Sequence, residues 1–311
     1  TLFSMYILCP RRIYFIEVIY MQIPPYDYVK MCTDAEKLCA EYPFAELFYI
    51  GESVMGKPIY CIKIGTGRKK LFINAAHHGL EYLTSALIMN FLFEYASAIS
   101  SNAIISGICA PQLFSRTSLY AVPMVNPDGV DLAIHGINFE NSYHRELVKN
   151  VGILPFQDVW QANIRGVDIN HNYNAMWQSI APSPAPTKYS GEFPESEPET
   201  KAIVNLSKSL DFDMTIAFHS QGGEIYYDFN RLVASNSYET GLKFAELSGY
   251  KLCVPNGTAS FGGYKDWFIE YFGKAGFTIE IGCGKNPLPM NMLSAVYREN
   301  LPILLYALGN C

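Results

Sequence analysis

Short apolar runs alternate with longer helical stretches through most of the chain. PIYCIKIG (58–65) and KLFINAA (70–76) read as strands, whereas LTSALIMNFLFEYASAI (83–99) has the length and spacing of a helix. A strand therefore ends at His77-His78 and a helix follows. SLYAVPMV (118–125) is a further buried strand, closed by Asn126-Pro127-Asp128-Gly129, a strong turn signal. Ser196 to Glu199 reads as a capping box, with Pro198 in the first turn, opening the helix ETKAIVNLSKSL. MTIAFHS (214–220) and FTIEIG (277–282) are two more buried strands, carrying His219 and Glu280. The C-terminal MNMLSAVYRENLPILLYALG is predicted helical, kinked at Pro302. This alternation predicts an α/β fold: a mixed, mostly parallel central sheet with helices on both faces, its chemistry at strand ends.

Amphipathic helix patterning begins after Met21, so residues 21–311 are read as one domain. Residues 1–20 are an N-terminal extension, either outside the functional fold or packed against it. Their apolar stretch is interrupted by Pro10, Arg11, Arg12 and Glu17, which fits neither a membrane span nor a secretory signal. No membrane insertion is expected, and a cytoplasmic location is the expectation.

Half of the 311 residues are hydrophobic and 17% are charged, enough to bury a sizeable core. A formal charge of −6 argues against a phosphate-backbone binder, so no nucleic-acid partner is expected, and small or peptidic substrates fit better. The eight cysteines show no CxxC spacing and several lie in apolar stretches, the pattern of reduced thiols.

His78-Gly79-Leu80-Glu81 sets an imidazole and a carboxylate three residues apart at a strand-to-helix junction, where both can reach one ion. Catalytic zinc takes three N or O ligands and leaves a position open, and His219 at another strand end can be the third. Alone, such a pair is as readily a surface pair. His77 is a neighbour of the ligand or a packed residue. His135 and His144 fall in HGINFENSYHRE, read as a loop with a structural or surface role.

The blocks HHGLE, VNPDG, RGVDINHNY, AFHSQGG, GGYKDW and TIEIGCGKNPLP follow in an order that resembles the M14 zinc carboxypeptidases over residues 24–309. HSQGG followed by IYY, and the tail GKNPLP, are most similar to bacterial γ-D-glutamyl-diamino-acid endopeptidases, which act on murein peptides. The resemblance implies one zinc per chain, with His78, Glu81 and His219 as ligands and Glu280 as catalytic base. It implies that Asp168 orients the first zinc histidine.

Arg165 is the candidate for stabilising the oxyanion, with a surface arginine as the alternative, because the family's arginine position is occupied by Gln161. Asn170-His171 stands where carboxypeptidases of this family have Asn-Arg, and imidazole cannot reproduce the bidentate grip on a terminal carboxylate. The family's late tyrosine falls on Thr258, with Tyr264 as a partial substitute. Gln161, Asn170, His171 and Tyr264 are thus the expected substrate-binding residues. The function so implied is zinc-dependent amide hydrolysis in murein-type peptides, at γ-D-glutamyl-meso-diaminopimelate. The alternatives are a conventional metallocarboxypeptidase and a catalytically silent peptide-binding protein.

Overall fold

In the computed structural model, which describes residues 5–9, 12–16, 23–234, 236–255 and 261–311, the apolar segments lie side by side in one sheet. Strands β1 (Met5–Cys9) and β2 (Arg12–Ile16) pair only with each other, as an antiparallel ribbon separate from that sheet. The boundary proposed at residues 20–21 lies outside the described residues.

After helix α1 (Tyr28–Glu41) come β3 (Ala45–Glu52), β4 (Pro58–Ile64), β5 (Lys69–Ala75) and the long helix α2 (Tyr82–Ser100). A small ribbon, β6 (Ile104–Ile105) with β7 (Ile108–Cys109), leads through α3 (Ala110–Arg116) to β8 (Thr117–Val122). Four helices follow: α4 (Pro127–His135), α5 (Ser142–Val151), α6 (Phe156–Val159) and α7 (Pro198–Leu210). The remaining elements are β9 (Met214–Ser220), β10 (Glu224–Tyr226), α8 (Ser237–Ser248), β11 (Lys251–Cys253), α9 (Tyr264–Phe272), β12 (Ala275–Ile281) and α10 (Leu293–Asn310).

The sheet has the order β11-β10-β12-β9-β5-β8-β4-β3. Its centre, β12-β9-β5-β8, is parallel throughout, so these four strands deliver their carboxyl ends to one edge. Strand alternation sorts the side chains to two faces. Leu71 and Ile73 of β5 and Ile216 and Phe218 of β9 join the core formed with α2 and α10. Phe72 and Ala217 join the opposite core, formed with α7 and α9. The expected fold class is therefore what the chain adopts.

Segment 79–100 is apolar and long enough to cross a membrane by composition alone, and two thirds of its most apolar stretch (67%) is buried in the molecule.

Several local expectations are corrected. Asn126-Pro127-Asp128-Gly129 starts a helix: the Asn126 side chain accepts from Gly129 N at 2.9 Å, and Pro127 opens α4. His144 lies in helix α5 and His135 ends α4, so that segment is not one loop. Leu147 of α5 is buried, with Val148 and Val151 half-buried beside it on the same side of the helix. The capping box does not form, because the Glu199 carboxylate is engaged by Val54 N at 3.1 Å and Asn163 Nδ2 at 3.3 Å. Helix α10 forms as expected and contains Pro302, and the carbonyl four residues earlier belongs to exposed Arg298, where water can replace the missing N–H.

Glu199 is fully buried beside Asp128 and Glu197; burial first, then those two carboxylates, push its carboxyl from 4.5 up to about 8. Between those values the folded state holds a proton that the unfolded chain has lost. Stability therefore falls as pH rises through that window, by about 1.4 kcal/mol per pH unit at most. Glu199→Gln keeps an acceptor for Val54 N–H and removes the ionisation. Thermal midpoints measured at about pH 5 and about pH 8 should fall for the wild type and fall less for the variant; parallel losses would contradict the assignment.

Candidate active site

The site is assembled where parallel strands end. His78 follows β5 and precedes the single 3-10 turn Gly79–Glu81, which runs into α2 and presents Glu81 on the same side. Gly79 is required here: a Cβ would lie 2.4 Å from Gly129 O and 2.9 Å from Trp160 O. The Asn126 amide donates to His77 O at 2.9 Å, and Gly79 N donates to Gln161 O at 2.9 Å. The start of α4 thus braces the His78 turn. His219, at the end of β9, stands in register with Glu280 of β12.

His78 Nδ1 lies 2.9 Å from Glu81 Oε1, and His219 Nδ1 lies 3.0 Å from Glu81 Oε2. Among the described residues this is the one His/Cys/Asp/Glu group whose donor atoms converge, all within 4.8 Å of one another. His78 Nε2 meets Asp168 Oδ1 at 3.2 Å, and Asp168 Oδ2 accepts from Thr187 Oγ1 at 3.0 Å and Lys188 N at 2.9 Å. Burial alone would raise the Asp168 carboxyl, but the adjacent His78 and His171 and its hydrogen bonds hold it well below the usual carboxylate range. An ionised Asp168 accepts a hydrogen bond from His78 Nε2–H, which fixes that tautomer and leaves the Nδ1 lone pair to a metal. Burial likewise opposes the charge on Glu81, yet the two imidazoles lower it to about 2. Two imidazole nitrogens and an ionised carboxylate fit a zinc centre with an open position.

Glu280 lines a cleft of about 500 Å³ together with Gln161, Ser220, Tyr226, Lys285 and Asn286, among others. Burial, and then the Glu81 and Glu224 charges, raise the Glu280 carboxyl well above its ordinary range, while His78 opposes them. His77 is fully buried beside the ligands, its Nε2 2.9 Å from Tyr173 Oη and its ring stacked on His219. Burial, then His219 and His78, lower its basicity well below the ordinary value.

Two expected residues do not reach the site. Arg165 is 54% exposed, pairs with Glu197 at 3.4 Å and lines a separate cavity with Pro184 and Tyr189. Arg165 stands four residues after the family's arginine position, which Gln161 occupies, and from there its side chain pairs with Glu197 and not with the ligand set. Tyr264 is fully buried; its hydroxyl contacts Ser207 Oγ at 3.1 Å and Thr215 Oγ1 at 3.3 Å, because the first turn of α9 packs against the sheet. Asn170 uses its side-chain oxygen to accept from Tyr264 N at 3.1 Å, and His171 Nδ1 donates to Phe261 O at 2.7 Å. Thr258 lies outside the described residues.

Sequence reasoning missed Asn286. Its amide donates to Ser220 O at 2.7 Å and reaches Glu81 Oε1 at 3.5 Å, while its oxygen accepts from Ser220 Oγ at 2.8 Å. The tail GKNPLP was the available signal, but it carried no spacing that pointed to a ligand.

A sheet with these strand ends and this donor set defines a zinc-peptidase architecture. The profile of the zinc carboxypeptidase family, Peptidase_M14, matches residues 31–303, and the chain belongs to that family. It is 39% identical over 289 residues to a γ-D-glutamyl-L-diamino acid endopeptidase 1 of Lysinibacillus sphaericus, covering 91% of this chain and 72% of that protein. Among solved structures it superposes on thrombin-activatable fibrinolysis inhibitor with a TM-score of 0.72 and 18% identity, covering 92% of this chain and 75% of the other. The murein-tripeptide amidase MpaA of Escherichia coli O157 gives a TM-score of 0.53 and 22% identity, over 83% of this chain and 91% of that one. These last two likenesses speak for the fold.

Metal analysis of purified protein should return one zinc per chain, with His219→Ala losing it. Asp168→Ala should weaken zinc affinity by about 10- to 100-fold in competition with a chromophoric chelator. Unchanged affinity in both variants would contradict the ligand set.

Proposed function

We propose that the protein hydrolyses an amide bond in murein-type peptides, at γ-D-glutamyl-meso-diaminopimelate, with Glu280 as the base. The observation that carries this reading is the complete ligand set beside Glu280, combined with His171 in place of the arginine that grips a terminal carboxylate. The likeness to the Lysinibacillus endopeptidase, named for γ-D-glutamyl-diamino acid bonds, supports the substrate class.

His78, Glu81 and His219 would hold the zinc, which when bound would supply Lewis-acid polarisation of the carbonyl and a more acidic water. Glu280 accepts the proton of the attacking water on a carboxylate oxygen and returns it to the leaving amine. Burial, then the Glu81 and Glu224 charges, favour its protonated form, and a cation held by the ligand set would favour the ionised one. Asp168 keeps the His78 ring in one orientation throughout. Gln161, on the cleft wall, offers a neutral amide donor where Arg165 cannot reach. His171, its Nδ1–H held by Phe261 O, is assigned to the residue after the cut because it stands where the family has its carboxylate-gripping arginine.

A conventional carboxypeptidase remains the second reading, supported by family membership itself. The two separate on substrates: zinc-loaded protein should release a diaminopimelate-containing product from a γ-D-glutamyl-meso-diaminopimelate peptide, identified by mass, and should turn over an ordinary peptide with an aromatic C-terminus poorly. Equal or better turnover of the ordinary peptide would overturn the proposal in favour of the second reading. Glu280→Gln should retain zinc and lose about 100- to 10,000-fold in kcat, since an amide cannot take the proton; near-normal turnover would remove Glu280 from that role.

A further inference from the structure

The cleft beside Glu280 is lined by residues of segments 158–161 and 220–226 and of the loop after β12. His171, which the proposed function assigns to the leaving-group side, does not line it. It is therefore open to the other half of the substrate, the residue that carries the scissile carbonyl.

The cavity is predominantly acidic. Asp158, Glu224 and Glu280 all line it, and Glu224 accepts from Tyr226 Oη at 2.7 Å. Among the described lining residues the cationic side chain is Lys285, which is exposed and has no hydrogen-bonded or ionic partner among them. Its backbone is nevertheless fixed relative to the metal ligands. On one side, Gly284 N donates to Gln221 Oε1 at 3.0 Å; on the other, Asn286 is tied to Ser220 and reaches Glu81. A lysine held at the rim of an acidic cavity, with its ammonium unpaired, is placed for an anion brought by the ligand.

We propose that Lys285 is a specificity-determining residue that pairs with a free carboxylate on the acyl-side residue of the substrate. This rests on the reading of the site as a γ-glutamyl hydrolase. A γ-linked glutamyl residue keeps its α-carboxylate, separated from the scissile carbonyl carbon by three carbons, where an ordinary α-linked residue has no such group. Asp158 and Glu224 repel that anion, and Lys285 offsets them at the point of entry. The pairing selects γ-linked over α-linked acyl groups and does not touch the reacting atoms.

The test measures kcat/KM on a γ-D-glutamyl-diamino acid peptide and on its α-carboxamide counterpart, for the zinc-loaded wild type, Lys285→Met and Lys285→Arg. The wild type should prefer the carboxylate peptide. Lys285→Met should lose about 10- to 100-fold on it, the range of a charge-assisted contact, and change little on the carboxamide. Lys285→Arg should restore most of the preference. Equal losses on both peptides, or no preference in the wild type, would overturn the role of Lys285 while leaving the γ-glutamyl reading standing. Failure of the wild type to cleave either peptide while it cleaves ordinary ones would overturn both.

Discussion

The Glu81 carboxylate, buried and shared between the Nδ1 atoms of His78 and His219, is the contact on which the architecture converges. A buried carboxylate left unpaired costs several kcal/mol, about 3–5 where one partner of a buried pair is removed. Glu81 can stay ionised only because two strands end at the same place. That condition is met by the parallel core of the sheet, whose β5 and β9 run side by side and point their carboxyl ends the same way. Strand β12, parallel to β9 on its other side, adds Glu280 opposite His219. The metal ligands and Glu280, the proposed base, are thus neighbours for the same reason that the sheet is parallel.

Around that contact the other motifs act as supports. Asn126 ties the start of α4 to the backbone of His77, and Gly79 and Gly129 allow those two turns to touch. Asp168 fixes the outer nitrogen of His78, and Asn286 reaches Glu81 from the loop after β12. Rigidity of this kind suits a site in which small misplacement of a reacting group is costly. The same loop carries Lys285, so the part of the site that reads the substrate is anchored to the part that holds the metal.

Much of this was legible in the chain. Strands β4, β5, β8, β9 and β12 are central, covered on both faces, and therefore nearly continuous in apolar residues. Edge strand β3 and the three-residue strands β10 and β11 escaped notice; β3 mixes exposed and half-buried positions, and the other two are too short to show a period. His78 and His219 were legible at strand ends with Glu81 three residues after His78, but the ordered family blocks were needed to single them out, and Asp168, in a loop before a 3-10 turn, came from that resemblance alone. Arg165 and Tyr264 were misplaced because position along the chain does not say which way a side chain leaves it. Asp128 read as a turn residue and Glu199 as a helix-start residue, and their larger role, bracing the β3–β4 turn from across the molecule, is a tertiary contact that no local pattern encodes.

The central claim is that zinc is held by two imidazoles and one carboxylate in a chain that also carries eight cysteines. Zinc-edge X-ray absorption of the loaded protein tests it most directly. The expected spectrum has only nitrogen and oxygen neighbours at about 2.0–2.2 Å, with the outer-shell signature of two imidazoles. A sulfur shell at about 2.3 Å, or no imidazole scattering, would contradict it.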